Sequence, residues 1–416
     1  MSSTGATANR VDIAQRRGAT GVTSARGVAR VLAPIMMVVL VAYLIIGLAM
    51  PVLPLYVHQE LGLSTFMVGV AAGVEFAAAL LSRFWSGRYA DTKGAKRAIV
   101  VGLVMGVIAG LFYLLSIRFG GAPVMAIAIL LVGRVFLGGC ESFVITGALS
   151  LGLGLGGRSN AGRVIAWVGT ALWAAYAAGA PAGTALYTRY GFASIAVATT
   201  LLPLVSLLLV IPLRDLPLSG HASPSVRRVL RAVTIPGLGM ALTAVGFGTI
   251  TTFGALLFVE RGWSSAWIAL TAVSVAFIFG RIVFGHLPDK VGGARVALVC
   301  VVIESLGLAL IWLAPSAMVV FIGAAITGVG YSLVYPGFGV EAVRLAPPEA
   351  KGLAMGAFTA FLDLSLGIAN PALGLLATRA GLNSVFLVSA LVVLSSAVIA
   401  VQLLRAPRAS DAHVKR

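Results

Sequence analysis

Several ionisable residues lie inside long apolar stretches of this 416-residue sequence, among them Glu75, Arg134, Glu141, Glu304 and Asp363. If such a stretch crosses a membrane, a charged group at its centre costs about 2.5–3.5 kcal/mol, so each of these residues needs a partner or a function. A carboxylate held between a desolvating environment and a nearby cation can bind a proton on one side of a membrane and release it on the other. The residues therefore permit proton exchange, binding of a polar substrate, or structural ion pairing.

The spacing of these residues ranks them as candidates. Arg134, Gly138 and Glu141 recur at helical spacing, which puts them on one face of a helix. We predict Glu141 as the carboxylate that binds the proton or the substrate; the alternative is a hydrogen bond or ion pair with Arg134 or another helix. Asp363, in FTAFLDLSLGIANP, and Glu75 are weaker candidates for the same role. The alternative for both is a polar contact between helices.

The composition requires these residues to be carried by membrane-spanning helices. Hydrophobic residues make up 59% of the chain and charged residues 10%, whereas a soluble domain needs about 25% charged residues to cover its surface. Apolar stretches of about 20 residues predict spanning helices, which satisfy their own backbone hydrogen bonds. The twelve predicted spans are 31–56, 65–87, 98–117, 124–147, 161–188, 194–213, 237–259, 264–286, 294–314, 317–343, 352–378 and 382–404.

The distribution of Lys and Arg orients these spans. If both termini are cytoplasmic, the only arginines in the outward loops are Arg118, Arg189, Arg261 and Arg379, in keeping with the excess of Lys and Arg in cytoplasmic segments. A loop rich in Pro, Ser and Arg divides the spans into two groups of six. The predicted organisation is a basic cytoplasmic tail (1–30), a six-helix half (31–213), a cytoplasmic loop (214–236), a second six-helix half (237–404) and a cytoplasmic tail (405–416).

The two groups of spans share a sequence pattern. SRFWSGRYADTKGAKRAIVVG, after the second span, reappears after the eighth span as GRIVFGHLPDKVGGARVALVC, and APAGTALYTRYG reappears as NPALGLLATRAG. In the first match, Arg83, Gly87, Asp91 and Gly94 correspond to Arg281, Gly285, Asp289 and Gly292. Two six-helix repeats predict a pseudo-two-fold protein with a site between its halves.

The repeated loop predicts a latch made of charges on the cytoplasmic side. Gly87 permits close approach to a neighbouring helix, and Gly94 permits a tight reversal of the chain. Asp91 lies just past the helix end, within reach of cations or of another helix N-terminus. The alternative is a solvated loop that only obeys the positive-inside rule. The residues predicted for this gating loop are Gly87, Arg88, Asp91, Gly94, Lys96, Arg97, Gly285, Asp289, Gly292 and Arg295.

The pattern G-x-x-x-D-x-x-G, followed by basic residues in both halves, resembles the signature loop of the major facilitator superfamily. The similarity covers about residues 31 to 404. Further stretches resemble motifs of the proton-coupled export branch: GLAMPVLP with Pro51 and Pro54, LVGRVFLGG with Arg134 and Gly138, and AAGAPAGTAL with Gly179, Pro181 and Gly183. GRVIAW, AGAPAG and FLDLSLGIANP are most similar to the YhhS-like, or arabinose-efflux-like, permeases. Ala180 is a departure, because the antiporter motif usually has its glycine and proline adjacent.

The resemblance implies an all-α integral membrane protein of the major facilitator fold, whose fourth span lines a central cavity and places Glu141 near the substrate. It implies a secondary transporter of the bacterial inner membrane that exports drugs, sugars or metabolites in exchange for protons, by alternating access. The alternatives are an importer or a facilitator on the same fold, or a membrane receptor that does not transport.

The expected partners are a small-molecule substrate, protons and the lipid bilayer, without nucleic acid, and this fold usually works as a monomer. The sequence contains no Walker motif and no cluster of metal ligands, so we expect no cofactor, no metal and no enzymatic activity.

Other residues inside the spans have more ordinary interpretations. We expect Arg83 and Arg281 to extend to the membrane interface, Glu304 to make a buried contact, and Cys140 and Cys300 to be buried thiols. Aromatic residues in the spans could contact a substrate, although packing and membrane-interface roles are commoner. These aromatic candidates are Tyr43, Trp167, Trp173, Tyr176, Tyr331 and Tyr335.

Overall fold

The computed structural model describes residues 25–156, 161–213, 226–347 and 351–405. Twelve helices within these ranges are long and apolar enough to cross a membrane, as predicted. They are α1 (Ala25–Ala49), α2 (Thr65–Lys93), α3 (Ala95–Arg118), α4 (Pro123–Gly156), α5 (Ala161–Tyr190), α6 (Phe192–Val210), α7 (Val226–Glu260), α8 (Trp267–Phe284), α9 (Gly293–Trp312), α10 (Ala317–Leu345), α11 (Lys351–Ala380) and α12 (Leu382–Arg405).

Two helices extend beyond their predicted spans: α2 ends at Lys93 and α4 at Gly156, where residues 87 and 147 were expected. The expectation that Asp91 lies just past the end of its helix is therefore wrong, because α2 continues to the turn at Gly94.

Two other helices differ from the predicted spans in ways that have local causes. The first span continues past α1 through a short helix, Leu53–Leu55, and a π-helical segment, Tyr56–Glu60. The helix breaks at Pro51, because a proline has no N–H to donate to the preceding turn. α7 begins at Val226, well before the predicted start at residue 237, and contains Pro236. Residues 1–24, 214–225 and 406–416, which belong to the predicted tails and central loop, lie outside the described residues.

The backbone confirms the sequence repeat between the halves α1–α6 and α7–α12. Gly94 has φ 104° and ψ 145°, and its counterpart Gly292 has φ 102° and ψ 140°. Gly191 and its counterpart Gly381 also have positive φ, 67° and 82°. Only glycine adopts this conformation at little cost, so the four positions mark the same tight turns in the two halves.

Close helix packing within the first half depends on glycines of the predicted motifs. A methyl group on Gly138 in α4 would overlap the backbone of Glu75 in α2, and one on Gly183 in α5 would overlap the backbone of Leu48 in α1. Gly179, one turn before Gly183, lies against Gly47 of α1 in the same way. Small residues let membrane helices approach closely, which explains why the motif glycines lie on these faces.

The two halves meet along α2 with α11 and along α5 with α8. We call the side of the bundle where α1 begins and α12 ends the terminal side, and the opposite side the far side. On the far side, Thr65 donates a hydrogen bond to the carbonyl of Gly374 and its hydroxyl lies 2.8 Å from that of Thr378. Nearer the middle, Thr271 of α8 donates to the carbonyl of Ala177 in α5. The far side of the bundle is therefore closed.

The halves make fewer contacts toward the terminal side. Within the described ranges, no hydrogen bond or ion pair joins α2 to α11 on the terminal side of Arg83 and Asp363. Phe84 and Trp85, which follow in α2, are 69% and 60% exposed, as are many apolar side chains of the spanning helices, whose outer surface faces lipid. The hydrogen bonds between α2 and α11 therefore lie at Arg83 and Asp363 and on the far side of them.

Candidate functional site

An ion pair between Arg83 and Asp363 links the two halves near the middle of the bundle. Arg83 of α2 contacts both carboxylate oxygens of Asp363 in α11, and its Nη2 lies 3.0 Å from Oδ1. Asp363 is fully buried and the Arg83 side chain is 20% exposed. The expectation that Arg83 extends to the membrane interface is therefore wrong, because the buried carboxylate of Asp363 holds its guanidinium inside the protein.

The carboxylate of Glu141 lies beside this pair. Glu141 is partly exposed, and no ion pair joins it to another described residue. Glu75, Asp363, Arg83 and Arg134 are all close enough for their charges to act on it. The hydroxyl of Tyr43 in α1 donates to the backbone carbonyl of Glu141 at 3.4 Å. Within the part of the chain that the structure describes, no hydrogen bond or ion pair engages the carboxylate itself, which we therefore call uncommitted. Glu141 can therefore exchange a proton or bind a polar group.

Arg134 pairs with Glu75, and the predicted alternative of a pair with Glu141 is not observed. The guanidinium of Arg134 contacts a carboxylate oxygen of Glu75. Its Nε donates to the carbonyl of Ala71 at 2.8 Å, and its Nη1 donates to the hydroxyl of Tyr113 at 3.3 Å. Arg134 and Glu75 are nearly inaccessible to solvent. Three helices therefore fix the guanidinium of Arg134: α2, α3 and its own helix, α4.

An aromatic cluster closes the centre of the bundle between the halves. Trp173 of α5 stacks on Phe277 of α8 with ring centroids 3.7 Å apart, and Phe247 of α7 stacks on Tyr331 of α10 at 5.6 Å. Tyr176 of α5 stacks on Phe247. All five residues are at least nine-tenths buried. The cluster joins α5 to three helices of the other half, so the rings must separate if the halves part on the far side.

The other predicted aromatics lie around this cluster or apart from it. Tyr43 tilts against Tyr176 with ring centroids 6.2 Å apart. The hydroxyl of Tyr335 lies 2.8 Å from that of Thr359, and its ring packs against Phe358. Trp167 is 39% exposed. The structure thus brings together Tyr43, Trp173, Tyr176 and Tyr331, and leaves Trp167 and Tyr335 outside the cluster.

Most charged residues of the predicted gating loop are exposed in this structure. Asp91 and its counterpart Asp289 are exposed, as are Arg88, Arg97 and Arg295. The ammonium group of Lys96 donates to the carbonyls of Ile211 and Leu213, at 2.8 and 2.9 Å, and so holds the end of α6.

The predicted close approach at Gly87 is not observed, because a methyl group there would meet no other atom within 4 Å. A methyl group on its counterpart Gly285 would meet only the carbonyl of Arg281, which belongs to the preceding helix α8 and not to a neighbouring helix.

Several buried polar groups escaped the sequence analysis. Glu341 in α10 accepts a hydrogen bond from the backbone N–H of Ala294 at the start of α9 and pairs with Arg344 at 2.7 Å. The side chain of Asn370 is fully buried without a hydrogen-bond partner among the described residues. By contrast, the sequence did indicate Glu304 as a buried contact: it is fully buried against Gly246 of α7, and its carboxyl group has no hydrogen-bond partner among the described residues.

Three residues around the site had no clear signal in the sequence. Glu341 lies near the end of a predicted span, where a charged residue can reach water, and Phe247 and Phe277 of the aromatic cluster resemble ordinary apolar residues of a span. Arg281 donates to the carbonyl of Ser332 at 3.3 Å, so it too bonds inside the protein. Cys140 and Cys300 are buried free thiols, as predicted.

Comparison with known sequences gives a consistent result. The chain matches the Major Facilitator Superfamily over residues 35–293 and 237–416. It is 44% identical to an uncharacterized MFS-type transporter of Salmonella typhimurium, over 87% of this chain and 94% of that protein. It is 40% identical to one of Pseudomonas aeruginosa, over 90% and 93% of the two chains. It is 39% identical to the uncharacterized MFS-type transporter YhhS of Escherichia coli, over 84% and 86%.

Solved structures share the fold at low sequence identity. The crystal structure of a D-xylose-proton symporter matches 89% of this chain and 97% of its own, with a TM-score of 0.74 and 12% identity. The nucleoside transporter NupG matches 91% of this chain and all of its own, with a TM-score of 0.73 and 12% identity. At this identity the likeness concerns the arrangement of the twelve helices alone.

Proposed function

The chain belongs to the major facilitator superfamily, and on that premise we propose that this membrane transporter exports small organic molecules in exchange for protons. The observation that carries the proposal is the uncommitted carboxylate of Glu141, which lies beside the ion pair between Arg83 and Asp363. An intramembrane carboxylate next to a contact between the two halves can couple its protonation to their movement.

The proposal assigns the terminal side to the cytoplasm, because the predicted cytoplasmic loops hold most Lys and Arg residues of the chain. We take the structure as an inward-open conformation, because the hydrogen bonds between α2 and α11 lie at Arg83 and Asp363 and toward the far side. A substrate enters from the cytoplasm between the halves and reaches Glu141 and the ion pair between Arg83 and Asp363. When the cluster parts and the far side opens, the substrate leaves to the outside.

Protons drive the return to the inward-open conformation. A proton from the outer solution binds to the carboxylate of Glu141 or of Asp363. Protonation of Asp363 removes the negative charge that holds Arg83, so the contact between α2 and α11 weakens. The contact forms again when the proton leaves to the cytoplasm. The proton and the substrate thus compete for the same charged centre, which gives exchange in place of co-transport.

The gating loop closes the cytoplasmic side in the opposite conformation. Asp91 is exposed in the inward-open conformation and contacts a helix end or a cation of the other half once the cytoplasmic side closes. Asp91→Asn is then expected to slow turnover and to leave substrate affinity unchanged. A turnover number equal to that of the unmodified protein would remove the latch from the mechanism.

The sign of proton movement tests export against its alternatives. Everted membrane vesicles without an imposed pH gradient receive a chemically varied panel of compounds, and a fluorescent probe reports the pH of the lumen. An exporter that exchanges substrate for protons makes the lumen more alkaline as a compound enters, whereas a symporter makes it more acidic. A labelled compound that equilibrates without any change of pH would identify a facilitator.

A further inference from the structure

A narrow cavity lies between α1, α2, α4 and α7, toward the far side from Glu141. Glu75 and Arg134 line one wall of this cavity, and Thr251 and Thr252 of α7 line the opposite wall. The remaining lining is apolar and includes the end of α1 around Pro54. We call this space the outer chamber. Its two polar walls come from different halves of the protein, so the chamber must widen or close whenever the halves move.

The polar groups of the outer chamber are not fully satisfied by the protein. One carboxylate oxygen of Glu75 contacts Arg134, but Oε1 has no hydrogen-bond partner among the described residues although Glu75 is only 2% exposed. A buried oxygen without a partner is costly. A water molecule in a polar cavity relieves that cost if it finds two or more polar partners. Glu75 and the hydroxyl of Thr252 provide such partners from opposite walls.

We propose that the outer chamber is hydrated and that Glu75 is a proton-binding site which is loaded from the outer side when α7 moves away from α2. The proposal rests on the proposed function in one respect only, because it takes the far side as the outside of the cell. It adds a further carboxylate to the path of the proton, beside Glu141 and Asp363, and gives that carboxylate a separate access route.

The packing of α2 on α4 places the two carboxylate sites near each other. The backbone of Glu75 lies against Gly138 of α4 and its carboxylate contacts Arg134, while Glu141 follows Gly138 by three residues on the same face of α4. The charge of Glu75 acts on Glu141, so a water molecule between the two carboxylates can carry a proton from one to the other. A proton loaded at Glu75 can then reach Glu141 without crossing the apolar lining of the bundle.

The loading step moves one proton and breaks no carbon bond. Hydronium in the outer solution gives its proton to Oε1 of Glu75, a new O–H bond forms, and water is released. The carboxyl group becomes neutral, while Arg134 keeps its hydrogen bonds to the carbonyl of Ala71 and the hydroxyl of Tyr113. These contacts keep the guanidinium in place after its negative partner is neutralised. A site that repeatedly gains and loses a proton requires such a fixed partner.

The first test measures access to the outer chamber without any knowledge of the substrate. Cys140 and Cys300 are replaced by alanine, and Thr252→Cys is made in that background. Intact cells are treated with a membrane-impermeant thiol reagent. Thr249→Cys is the matched control, because Thr249 lies one turn earlier in α7, is fully buried and has its hydroxyl 2.6 Å from that of Ser389 within the second half.

Access from the outside predicts that Thr252→Cys reacts about tenfold faster than Thr249→Cys or more, since even a minor outward-open population exposes the chamber. Equal rates for the two variants, or reaction of Thr252→Cys only in everted vesicles, would overturn the proposal.

The second test detects the proton on Glu75. Infrared difference spectra of the purified protein, recorded between acidic and alkaline pH, show the C=O band of a protonated carboxyl group. The proposal predicts a band that is lost in Glu75→Gln and kept in Glu141→Gln, in proteins that elute as folded species. A spectrum unchanged by Glu75→Gln would refute proton binding there. Failure of Glu141 as a transport residue would leave both results intact, so the two proposals fail separately.

Discussion

Breaking the ion pair between Arg83 and Asp363 tests whether it links the halves in the membrane as it does in the structure. Removal of one partner from a buried pair costs about 3–5 kcal/mol because the other charge is left without compensation. The Arg83 side chain is 20% exposed, so water compensates part of that charge and the lower end of the range applies. We expect Asp363→Asn to lower the free energy of unfolding by about 3 kcal/mol.

A double-mutant cycle isolates the pair from other effects of the substitutions. Arg83→Gln, Asp363→Asn and the combined variant are unfolded in mixed micelles, and the expected coupling energy is about 2 kcal/mol. The pair between Glu341 and Arg344 is the matched control, since both residues lie on α10 at a spacing of three and the Arg344 side chain is 33% exposed. Pairs of this kind couple by about 0.2–0.5 kcal/mol. A coupling energy for Arg83 and Asp363 no larger than that of the control would refute the link between the halves.

Two other perturbations test the packing around the site. Gly183→Ala is expected to destabilise the protein by about 1–3 kcal/mol, because the methyl group would overlap the backbone of Leu48. Gly169→Ala in the same helix is the control and is expected to be neutral, because its methyl group meets open space. Equal melting temperatures of the two variants would contradict the close contact at Gly183. Trp173→Ala removes the ring that stacks on Phe277. A thiol reagent added from the far side should then reach the centre of the bundle faster. An unchanged rate of thiol labelling there would show that the stack does not close the centre.

The twelve helices could be predicted from the sequence because each span is encoded locally. Hydropathy alone reveals a stretch that must lie in lipid, and the positive φ of Gly94 and Gly292 follows from a glycine at a reversal of the chain. The start of α7 at Val226 was missed because the arginines that follow it resemble a loop, although a helix can extend beyond the membrane with a charged surface. Helix ends in water carry no hydropathy signal.

The partners of the charged residues could not be predicted in the same way. Arg134 shares a helix face with Glu141, but it turns toward Glu75 because α2 packs against α4 at Gly138 and brings that carboxylate closer. The partner of Arg83 lies 280 residues away in the other half. Such pairs depend on how separate helices pack, which a single sequence does not specify.

Proton movement with and without the carboxyl group of Glu141 tests the central claim most directly. Everted vesicles are prepared with the unmodified protein, with Glu141→Gln, and with Glu304→Gln as the matched control, since Glu304 is buried in the second half and is not part of the charged centre. A compound that alkalinises the lumen with the unmodified protein should do so with Glu304→Gln and fail with Glu141→Gln at equal protein amounts. Alkalinisation by Glu141→Gln at the unmodified rate would contradict the role of Glu141 in proton exchange.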